Sequence, residues 1–265
     1  MIKINRSLSL SFILMLSLSM FSCKKGGINI FTLEDDKQLG LQVSEQIASN
    51  PSEFPILSES AYPEAYAHIN RIMNAVLNSG EVNYRDEFDW QVKIIHDDNT
   101  LNAFAAPGGY MYFYTGLIKF LDTEDQFAGV MAHEIAHADR RHSTQQLTRQ
   151  YGVSTLLGVV LGEDPGLLAE IAAGLVFLRF SRNHERDADK HSVIYLCPTD
   201  YNSAGAAGFF QKIESSNSTS PPEFLSTHPN PGNRVTDINE KKVELNCTGE
   251  ETFQQSYQDF KNSLP

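Results

Sequence analysis

The sequence predicts an α+β fold that is mainly α-helical, with a small β-sheet or hairpin beside its central helix. Apolar residues recur every three or four positions over most of the chain, which is the period of an amphipathic helix. Alternating, β-rich patterns are confined to the segment from Trp90 to Tyr114. Of the 265 residues, 41% are apolar and 20% are charged, as in folded globular domains. No internal repeat or linker divides the sequence, so we expect one domain over residues 32–265.

The first 31 residues have the pattern of an export signal followed by a tether. A short positive start precedes an apolar, serine-rich stretch over residues 8–21, which is too short to span a bilayer but suits a signal-peptide core. The stretch leads into Cys23. We therefore expect residues 1–22 to be a bacterial lipoprotein signal peptide, Cys23 to be lipidated, and residues 23–31 to form a tether. The two residues before Ser22 differ from those that usually precede such a cysteine, so ordinary secretion and a retained signal anchor stay open.

Charge and cysteine content limit the partners and the compartment. A net charge of −12 argues against a nucleic-acid partner, because phosphates need cationic side chains to neutralise them. Besides Cys23 the chain contains two cysteines, Cys197 and Cys247. In an oxidising compartment such a lone pair favours a disulfide, and two buried free thiols are the alternative.

In the first half of the chain, local signals predict helices first and then a small sheet. Thr32 and Asp35 have the spacing of a capping box at the start of the first helix. Pro107-Gly108-Gly109 separates two β-rich runs and predicts a hairpin. The predicted elements are helices over residues 32–49 and 62–78, a strand over 90–95, hairpin strands over 103–106 and 110–114, and a short helix over 116–121.

The second half reads as helical throughout. Thr123 and Gln126 have capping-box spacing, and no Pro or Gly breaks the helical run from Val130 to Tyr151. Residues 153–161 and 166–180 are strongly apolar but too short to cross a membrane. We predict a buried helical hairpin there, with a membrane-facing amphipathic surface as the alternative. Further helices are predicted over residues 203–214 and from residue 234 onward.

The strongest chemical signal is His133-Glu134-Ile135-Ala136-His137 within the central helix. On a helix His133 and His137 lie one turn apart on the same face, so both imidazoles reach one point. Zn²⁺ accepts neutral imidazole nitrogens at about 2.0–2.1 Å, and such a pair spans two corners of its tetrahedron. Glu134 lies beside the pair, where its carboxylate can act on water. The alternative is that both are ordinary helix histidines. A third ligand elsewhere in the sequence would favour the metal site.

The segment from Glu185 to Asp189 supplies a candidate third ligand about fifty residues later. Glu185 can complete a His₂Glu site that leaves a fourth position open, as catalytic zinc requires. Asp189 lies one turn further along, where it can accept a hydrogen bond from the distal nitrogen of a ligand histidine and fix its orientation. Taken alone, the segment reads as a solvated charge cluster. Beside a two-histidine motif it reads as part of a metal site.

These motifs resemble family forty-eight of the metallopeptidases. The family comprises zinc gluzincins that include prenyl-protein endopeptidases, Oma-type mitochondrial proteases and periplasmic quality-control lipoproteins. The resemblance covers most of the chain from about Leu33 to Asn239. It implies a gluzincin domain that binds one Zn²⁺ through His133, His137 and Glu185. Four blocks carry it in the family's order: Asn102 to Gly116, His133 to His137, Glu185 to Asp189, and His228-Pro229 with Arg234.

The resemblance also assigns roles to residues outside the metal motif. Glu134 would be the general base. His228 and Arg234 would reach the scissile carbonyl and help to stabilise the oxyanion. Asn102 could instead be a turn residue, and Arg234 could instead pair with an acidic neighbour. For the substrate, the family implies that Asn102 and the strand around Tyr110 and Tyr112 hold a peptide as an added β-strand. His142 recurs in many members, but we find no necessary chemistry for it in the sequence.

The predicted function is zinc-dependent endopeptidase activity on polypeptide substrates, without a covalent intermediate. The predicted lipid anchor suggests an envelope protease that degrades misfolded or misassembled proteins, with the envelope assembly machinery as a candidate partner. Lys24, directly after Cys23, favours the outer over the inner membrane, with the enzyme facing the periplasm. The alternatives are a non-catalytic, zinc-stabilised envelope chaperone or assembly scaffold, and a zinc hydrolase that acts on something other than peptides.

Overall fold

The computed structural model describes residues 28–215, 223–230 and 232–265. The predicted signal peptide and Cys23 lie outside the described residues. Twelve helices and three strands make up this part of the chain, which confirms the mainly helical α+β prediction. In chain order they are α1 Leu33–Ala48, α2 Pro63–Leu77, β1 Gln91–Ile95, β2 Ala103–Ala106, β3 Tyr110–Tyr114, α3 Thr115–Phe120, α4 Glu124–Asp139, α5 His142–Tyr151, α6 Val153–Val160, α7 Pro165–Gly174, α8 Arg182–Leu196, α9 Gly205–Ser215, α10 Glu223–Thr227, α11 Arg234–Glu244 and α12 Gln254–Asn262.

The sheet has the strand order β1-β3-β2. β3 pairs with β1 in parallel and with β2 in antiparallel fashion, across a turn formed by Pro107–Gly109. Side chains alternate between the two faces of β3, as the pleat requires. Met111 and Phe113 belong to the core formed with α2, α4, α8 and α9, whereas Tyr112 belongs to the core formed with α1, α6 and α7.

The first helix begins as predicted. The Thr32 side chain accepts a hydrogen bond from the Asp35 N–H at 3.1 Å, and the Asp35 carboxylate accepts one from the Thr32 N–H at 2.6 Å. These two bonds form the predicted capping box and satisfy two amide groups that the first helical turn would otherwise leave unpaired.

The capping box predicted for α4 is wrong. The Thr123 side chain makes no capping hydrogen bond, and Gln126 Oε1 accepts one from the Asp122 N–H at 3.0 Å. The helix start is held instead by contact with α9. A methyl group added at Gly205 would lie 1.9 Å from the Asp125 carbonyl oxygen, so the two backbones touch and only glycine fits. This contact fixes the helix that carries His133 and His137.

The helical run after α4 is interrupted at Arg141, although no Pro or Gly is present. Arg141 has φ 60°, in the left-handed region. Its guanidinium contacts the buried Asp36 carboxylate and donates to the Phe31 carbonyl oxygen at 2.6 Å. These tertiary contacts offset a left-handed backbone that costs an ordinary residue roughly 1–2 kcal/mol. The break allows α5 to start in a new direction.

The predicted apolar hairpin forms as α6 and α7, and one of its faces is buried. Leu156, Val159 and Ile171 pack into the core that α1 and Tyr112 share. Other apolar side chains of the hairpin point outward, so it is not buried on all sides as predicted. Within the described residues, no helix combines the length and the apolar character that crossing a membrane requires.

A disulfide joins the end of α8 to the segment that follows α11. Cys197 and Cys247 are bonded and are separated by 50 residues in the sequence. Because α8 carries Glu185 and Asp189, the bridge ties the helix of the acidic motif to the C-terminal part of the domain.

Candidate metal centre

Two helices and one loop bring four candidate metal donors together. His133 and His137 come from α4, Glu185 comes from α8, and His228 follows α10. One ligand atom from each of the four lies within 4.8 Å of the others, and all four side chains are buried. The histidine pair and Glu185 meet as the sequence predicts, because α4 and α8 pack along one another.

The chemistry of this cluster fits a zinc ion. His133 Nε2 and His137 Nε2 lie 3.0 Å apart, and each is 3.5 Å from one oxygen of Glu185. Neither oxygen of Glu185 and neither nitrogen of His228 makes a hydrogen bond within the described residues. Buried polar atoms without partners are costly, and a shared cation removes that cost. A set of three imidazoles and one carboxylate is typical of zinc.

The protonation state of Glu185 agrees with a role as a metal ligand. Burial raises the pKa of the Glu185 carboxyl, but the nearby imidazoles of His228 and His133 outweigh burial and hold it below its ordinary value. Glu185 is therefore an anion, which is the form that binds a metal. Arg234 Nη2 lies 3.3 Å from Glu185 Oε2 and contributes further positive charge.

Asp189 lies behind His133, where the sequence predicts it. Its Oδ1 is 3.0 Å from His133 Nδ1, on the opposite side of the ring from the donor cluster. Burial raises the pKa of Asp189, but Arg234 and then His133 lower it below its ordinary value. A carboxylate in this position sets the tautomer and the orientation of the ligand ring.

His142 has a corresponding position behind His137. Its Nδ1 lies 3.2 Å from His137 Nδ1, and its Nε2 lies 3.2 Å from Asp187 Oδ2. The ring stacks on His184, with a centroid separation of 4.6 Å. Sequence reasoning left His142 without a role. The structure shows that it is the group that faces the distal nitrogen of the second histidine of the motif.

Glu134 points into the site beside the four donors. Both of its carboxylate oxygens are buried and make no hydrogen bond with the part of the chain that the structure describes, and Oε1 lies 3.6 Å from His228 Nε2. Burial raises the pKa of this carboxyl above its ordinary value. The position suits the predicted general base, and that role stays a prediction.

His228 has a position that the sequence did not predict. It lies among the candidate metal donors, with Nδ1 3.3 Å from Glu185 Oε1, and its role at the scissile carbonyl stays a prediction. Its ring stacks on Phe224 at 4.2 Å, and the Phe224 N–H donates to the Leu101 carbonyl oxygen at 3.0 Å. α10 is thereby docked so that His228 would be a fourth protein donor to a zinc ion bound by this cluster.

Arg234 forms the acidic pairing that the sequence left as an alternative. Its Nε and Nη2 donate to the two oxygens of Asp189 at 2.8 and 2.5 Å, and its guanidinium lies 3.8 Å from the centroid of the Phe210 ring. Nη1 makes no hydrogen bond among the described residues. The side chain thus supports Asp189, and contact with a substrate oxyanion remains a prediction.

The predicted substrate strand is wrong for Tyr110 and Tyr112. Both belong to β3, which is the central strand and is paired on both sides, so it has no free edge for a peptide. Asn102 directly precedes β2, an outer strand, and its Oδ1 accepts from the Ala103 N–H at 2.9 Å. If a peptide adds to this sheet near the site, the outer edge of β2 is the candidate position.

A helix with paired histidines, a buried glutamate from a second helix and a free carboxylate beside them define a zinc metallopeptidase. The chain belongs to peptidase family M48, whose family model matches residues 63–242. The family assignment and the four candidate donors together fit one bound zinc ion. The presence of Glu134 agrees with an enzyme rather than with a zinc-stabilised scaffold.

Named relatives agree with this assignment. The beta-barrel assembly-enhancing protease of Escherichia coli (strain K12) is 29% identical over 167 residues, which are 57% of this chain and 34% of that protein. The mitochondrial metalloendopeptidase OMA1 of Schizosaccharomyces pombe is 24% identical over 217 residues, 80% of this chain and 62% of that protein. The metalloprotease YcaL of Escherichia coli (strain K12) is 24% identical over 189 residues, 69% of this chain and 70% of that protein. The match thus spans about a third of the first of these relatives.

Proposed function

We propose that this metallopeptidase is a lipid-anchored endopeptidase of the bacterial cell envelope that degrades misfolded or misassembled proteins. One observation carries the catalytic part: His133, His137 and Glu185 converge on a single point, and beside it lies the carboxylate of Glu134, which makes no hydrogen bond among the described residues. The envelope part is supported by the signal-peptide pattern that leads to Cys23. The name of the beta-barrel assembly-enhancing relative supports a substrate among assembling envelope proteins.

In the proposed reaction, the residues of this chain hold the metal and move one proton. When bound, zinc supplies Lewis-acid chemistry that polarises a peptide carbonyl and acidifies water. Glu134 accepts a proton from the attacking water and later gives it to the leaving amine. The raised pKa of Glu134 makes it a stronger proton acceptor, which suits this task. Asp189 and His142 keep the two ligand rings in the orientation that binding requires.

The site must open before a polypeptide can react. The donor side chains are almost completely buried, and His228 would be a fourth protein donor where a catalytic zinc needs a position for substrate or water. Displacing the segment that carries His228 would expose Glu134, because the two side chains are in contact. The structure therefore supports an enzyme whose resting form is closed.

The decisive experiment compares wild type with Glu134→Gln, both starting at residue 24, for zinc content and for cleavage of an unfolded protein. We expect about one zinc per chain in both and cleavage by wild type alone. Glu170→Gln, which changes an exposed glutamate of α7, is the matched control and should cleave like wild type. Absence of zinc from wild type would contradict the proposal.

A closed resting form calls for a further variant, His228→Ala. If wild type binds zinc but is inactive, this variant should bind zinc more weakly and cleave the unfolded protein. If it is also inactive while it retains zinc, the non-catalytic scaffold is favoured instead.

The anchor and the substrate class need separate tests. Metabolic labelling with a fatty acid should mark the full-length chain and should not mark Cys23→Ser. Cells that produce Glu134→Gln should accumulate unassembled envelope proteins that wild-type cells remove. Labelling that is unchanged in Cys23→Ser would contradict the anchor without affecting the peptidase assignment.

A further inference from the structure

A cavity of about 890 Å³ lies next to the metal centre and is separate from it. His142 lies between them, because its ring contacts His137 on one side and lines the cavity on the other. The cavity is strongly cationic, although the whole chain has a net charge of −12. Its charged lining comprises one carboxylate, Asp187, and four cationic side chains, Arg140, Arg149, Arg186 and Lys190.

The single carboxylate already has partners. Asp187 Oδ2 accepts from Arg140 Nε at 2.9 Å and lies 3.2 Å from His142 Nε2. By contrast, Arg149 and Lys190 are exposed and form no ion pair with any residue that the structure describes. The exposed Glu244 is close enough to Lys190 to interact with its charge, but no ion pair within the described residues neutralises Arg149 or Lys190. An anion is the complementary ligand.

The chain that leads to Cys23 leaves the domain at this cavity. Ile28 is one of the lining residues. The segment after it is fixed, because Asn29 Nδ2 donates to Thr144 Oγ1 at 2.9 Å and Arg141 donates to the Phe31 carbonyl oxygen. Five peptide units separate Cys23 from Ile28, and an extended chain of that length spans at most about 18 Å. A lipid on Cys23 would thus hold the cavity within about 18 Å of the bilayer.

An exposed apolar stripe on α6 starts at the rim of this cavity. Val153 lines the cavity, and Leu157 and Leu161 follow at intervals of four, on one side of α6. These three side chains are 47%, 50% and 61% exposed, and Ile28 is 77% exposed. Leu156, on the other side of the helix, is fully buried. Between Val153 and Leu161 the helix carries no acidic side chain; the acidic residues of the hairpin are Glu163 and Asp164 in its turn and Glu170 on α7.

We propose that this lipid-facing surface, formed by Ile28, the α6 stripe and the cationic cavity, rests on an anionic phospholipid bilayer. The phosphate of a headgroup would enter the cavity beside Arg149 and Lys190, and the stripe would contact the acyl-chain boundary. The proposal rests on the proposed anchor at Cys23, which would hold this surface within about 18 Å of the bilayer.

The test measures binding of the unacylated chain, starting at residue 24, to sedimented vesicles. Vesicles of phosphatidylcholine alone are compared with vesicles that contain one part phosphatidylglycerol to four parts phosphatidylcholine. We expect wild type to bind the anionic vesicles at least tenfold more strongly, and Arg149→Glu/Lys190→Glu to lose that preference. Arg85→Glu/Lys93→Glu has the same charge change outside the cavity and should keep it.

A second matched pair tests the apolar stripe. Leu157→Glu should weaken binding to anionic vesicles severalfold, whereas Leu41→Glu, at a comparably exposed leucine of α1, should not. All substituted positions are exposed or half-buried, and unchanged thermal unfolding midpoints will verify the fold. Equal binding by wild type and Arg149→Glu/Lys190→Glu, or no preference of wild type for anionic vesicles, would overturn the proposal.

These outcomes are independent of the peptidase and of the anchor. The vesicle assay uses a chain without acyl groups, so it reports on the surface alone. Loss of cleavage in the Glu134→Gln comparison tests catalysis, and fatty-acid labelling of Cys23 tests the anchor. An unlabelled Cys23 together with strong vesicle binding would refute the anchor and uphold the surface.

Discussion

The buried ion pair between Asp189 and Arg234 allows a prediction that separates structural support from catalysis. Two substitutions test it, Asp189→Asn and Arg234→Met. The first removes the charge but keeps the size of the side chain. The second removes the guanidinium but keeps an apolar side chain to pack on Phe210, over which Arg234 lies.

The expected loss of unfolding free energy follows from the burial of Arg234 and from the number of hydrogen bonds it makes. Arg234 is 1% exposed and donates two hydrogen bonds to Asp189. Removing one partner of such a pair leaves an uncompensated charge, and we expect each single variant to lose about 3–5 kcal/mol of unfolding free energy. The double variant leaves neither charge alone. It should lose at least about 2 kcal/mol less than the sum of the two single losses.

The metal provides a second readout. Asp189 faces His133 Nδ1 directly, whereas Arg234 reaches that ring only through Asp189. Asp189→Asn should therefore lower zinc affinity about 10–100-fold, and Arg234→Met should lower it less. Stability is measured by urea unfolding of the metal-free protein, and affinity by competition with a chelator. Arg71→Met is the control, because Arg71 also pairs with a carboxylate, Glu124, but is about half exposed.

One result would refute this reasoning. If Arg234→Met unfolds like wild type and retains zinc but has lost catalytic turnover, the guanidinium acts on the substrate. The oxyanion role that the resemblance suggests would then be correct, and Nη1, which makes no hydrogen bond within the described residues, would be the group that performs it.

Three further predictions test the surroundings of the site. His142→Ala should lower zinc affinity about 10–100-fold and change the visible spectrum of the cobalt-substituted protein, because His137 loses the group that orients it, whereas substituting the exposed His96 should do neither. Replacing Cys197 and Cys247 with serine should cost about 4 kcal/mol of unfolding free energy, the chain-entropy value for a loop of 50 residues, as measured by urea unfolding. For Glu124, burial raises the pKa but the bonds from Arg71 and neighbouring hydroxyls lower it further, to below its ordinary value. Its contribution to stability is thus complete above about pH 4.5 and is lost as the pH falls through the lowered pKa, so Glu124→Gln should be less stable at pH 7 and should lose less stability on acidification.

Local sequence signals were sufficient to predict most helices and strands and three of the four candidate metal donors. A capping box is a relation between residues three apart, and the one at Thr32 forms as predicted. His133 and His137 need only one helix, which explains why the sequence predicts them well. At Thr123 the same local signal fails, because close backbone contact with α9 replaces the cap.

Strand order could not be predicted from the sequence in the same way. The hairpin signal joins β2 to β3, but nothing local states that β1 pairs with the other side of β3. Once β1 pairs there in parallel, Tyr110 and Tyr112 lie in the centre of the sheet. The substrate role assigned to them required an edge, and the tertiary pairing removed that edge.

His142 shows how a backbone detail can hide a functional residue. It follows His137 by five positions, which on a continuous helix would turn it roughly 140° away from that ring. The left-handed Arg141 ends the helix and reorients the chain, so that His142 begins α5 and faces His137. The contact therefore depends on Arg141, which is held by Asp36 of α1. A spacing rule for helices could not find it.

The fourth donor, His228, follows from long-range packing and changes the chemistry of the site. Four protein donors would satisfy the buried polar atoms around one bound cation, which would favour the proposed closed form. The same four donors would leave no coordination position for water, which would oppose turnover. His228 Nε2 also lies 3.6 Å from Glu134 Oε1, so its departure would free a metal-coordination position and the predicted base in one movement. Because His228 comes from the loop after α10 and not from α4 or α8, that movement need not disturb the helices that hold the other three donors.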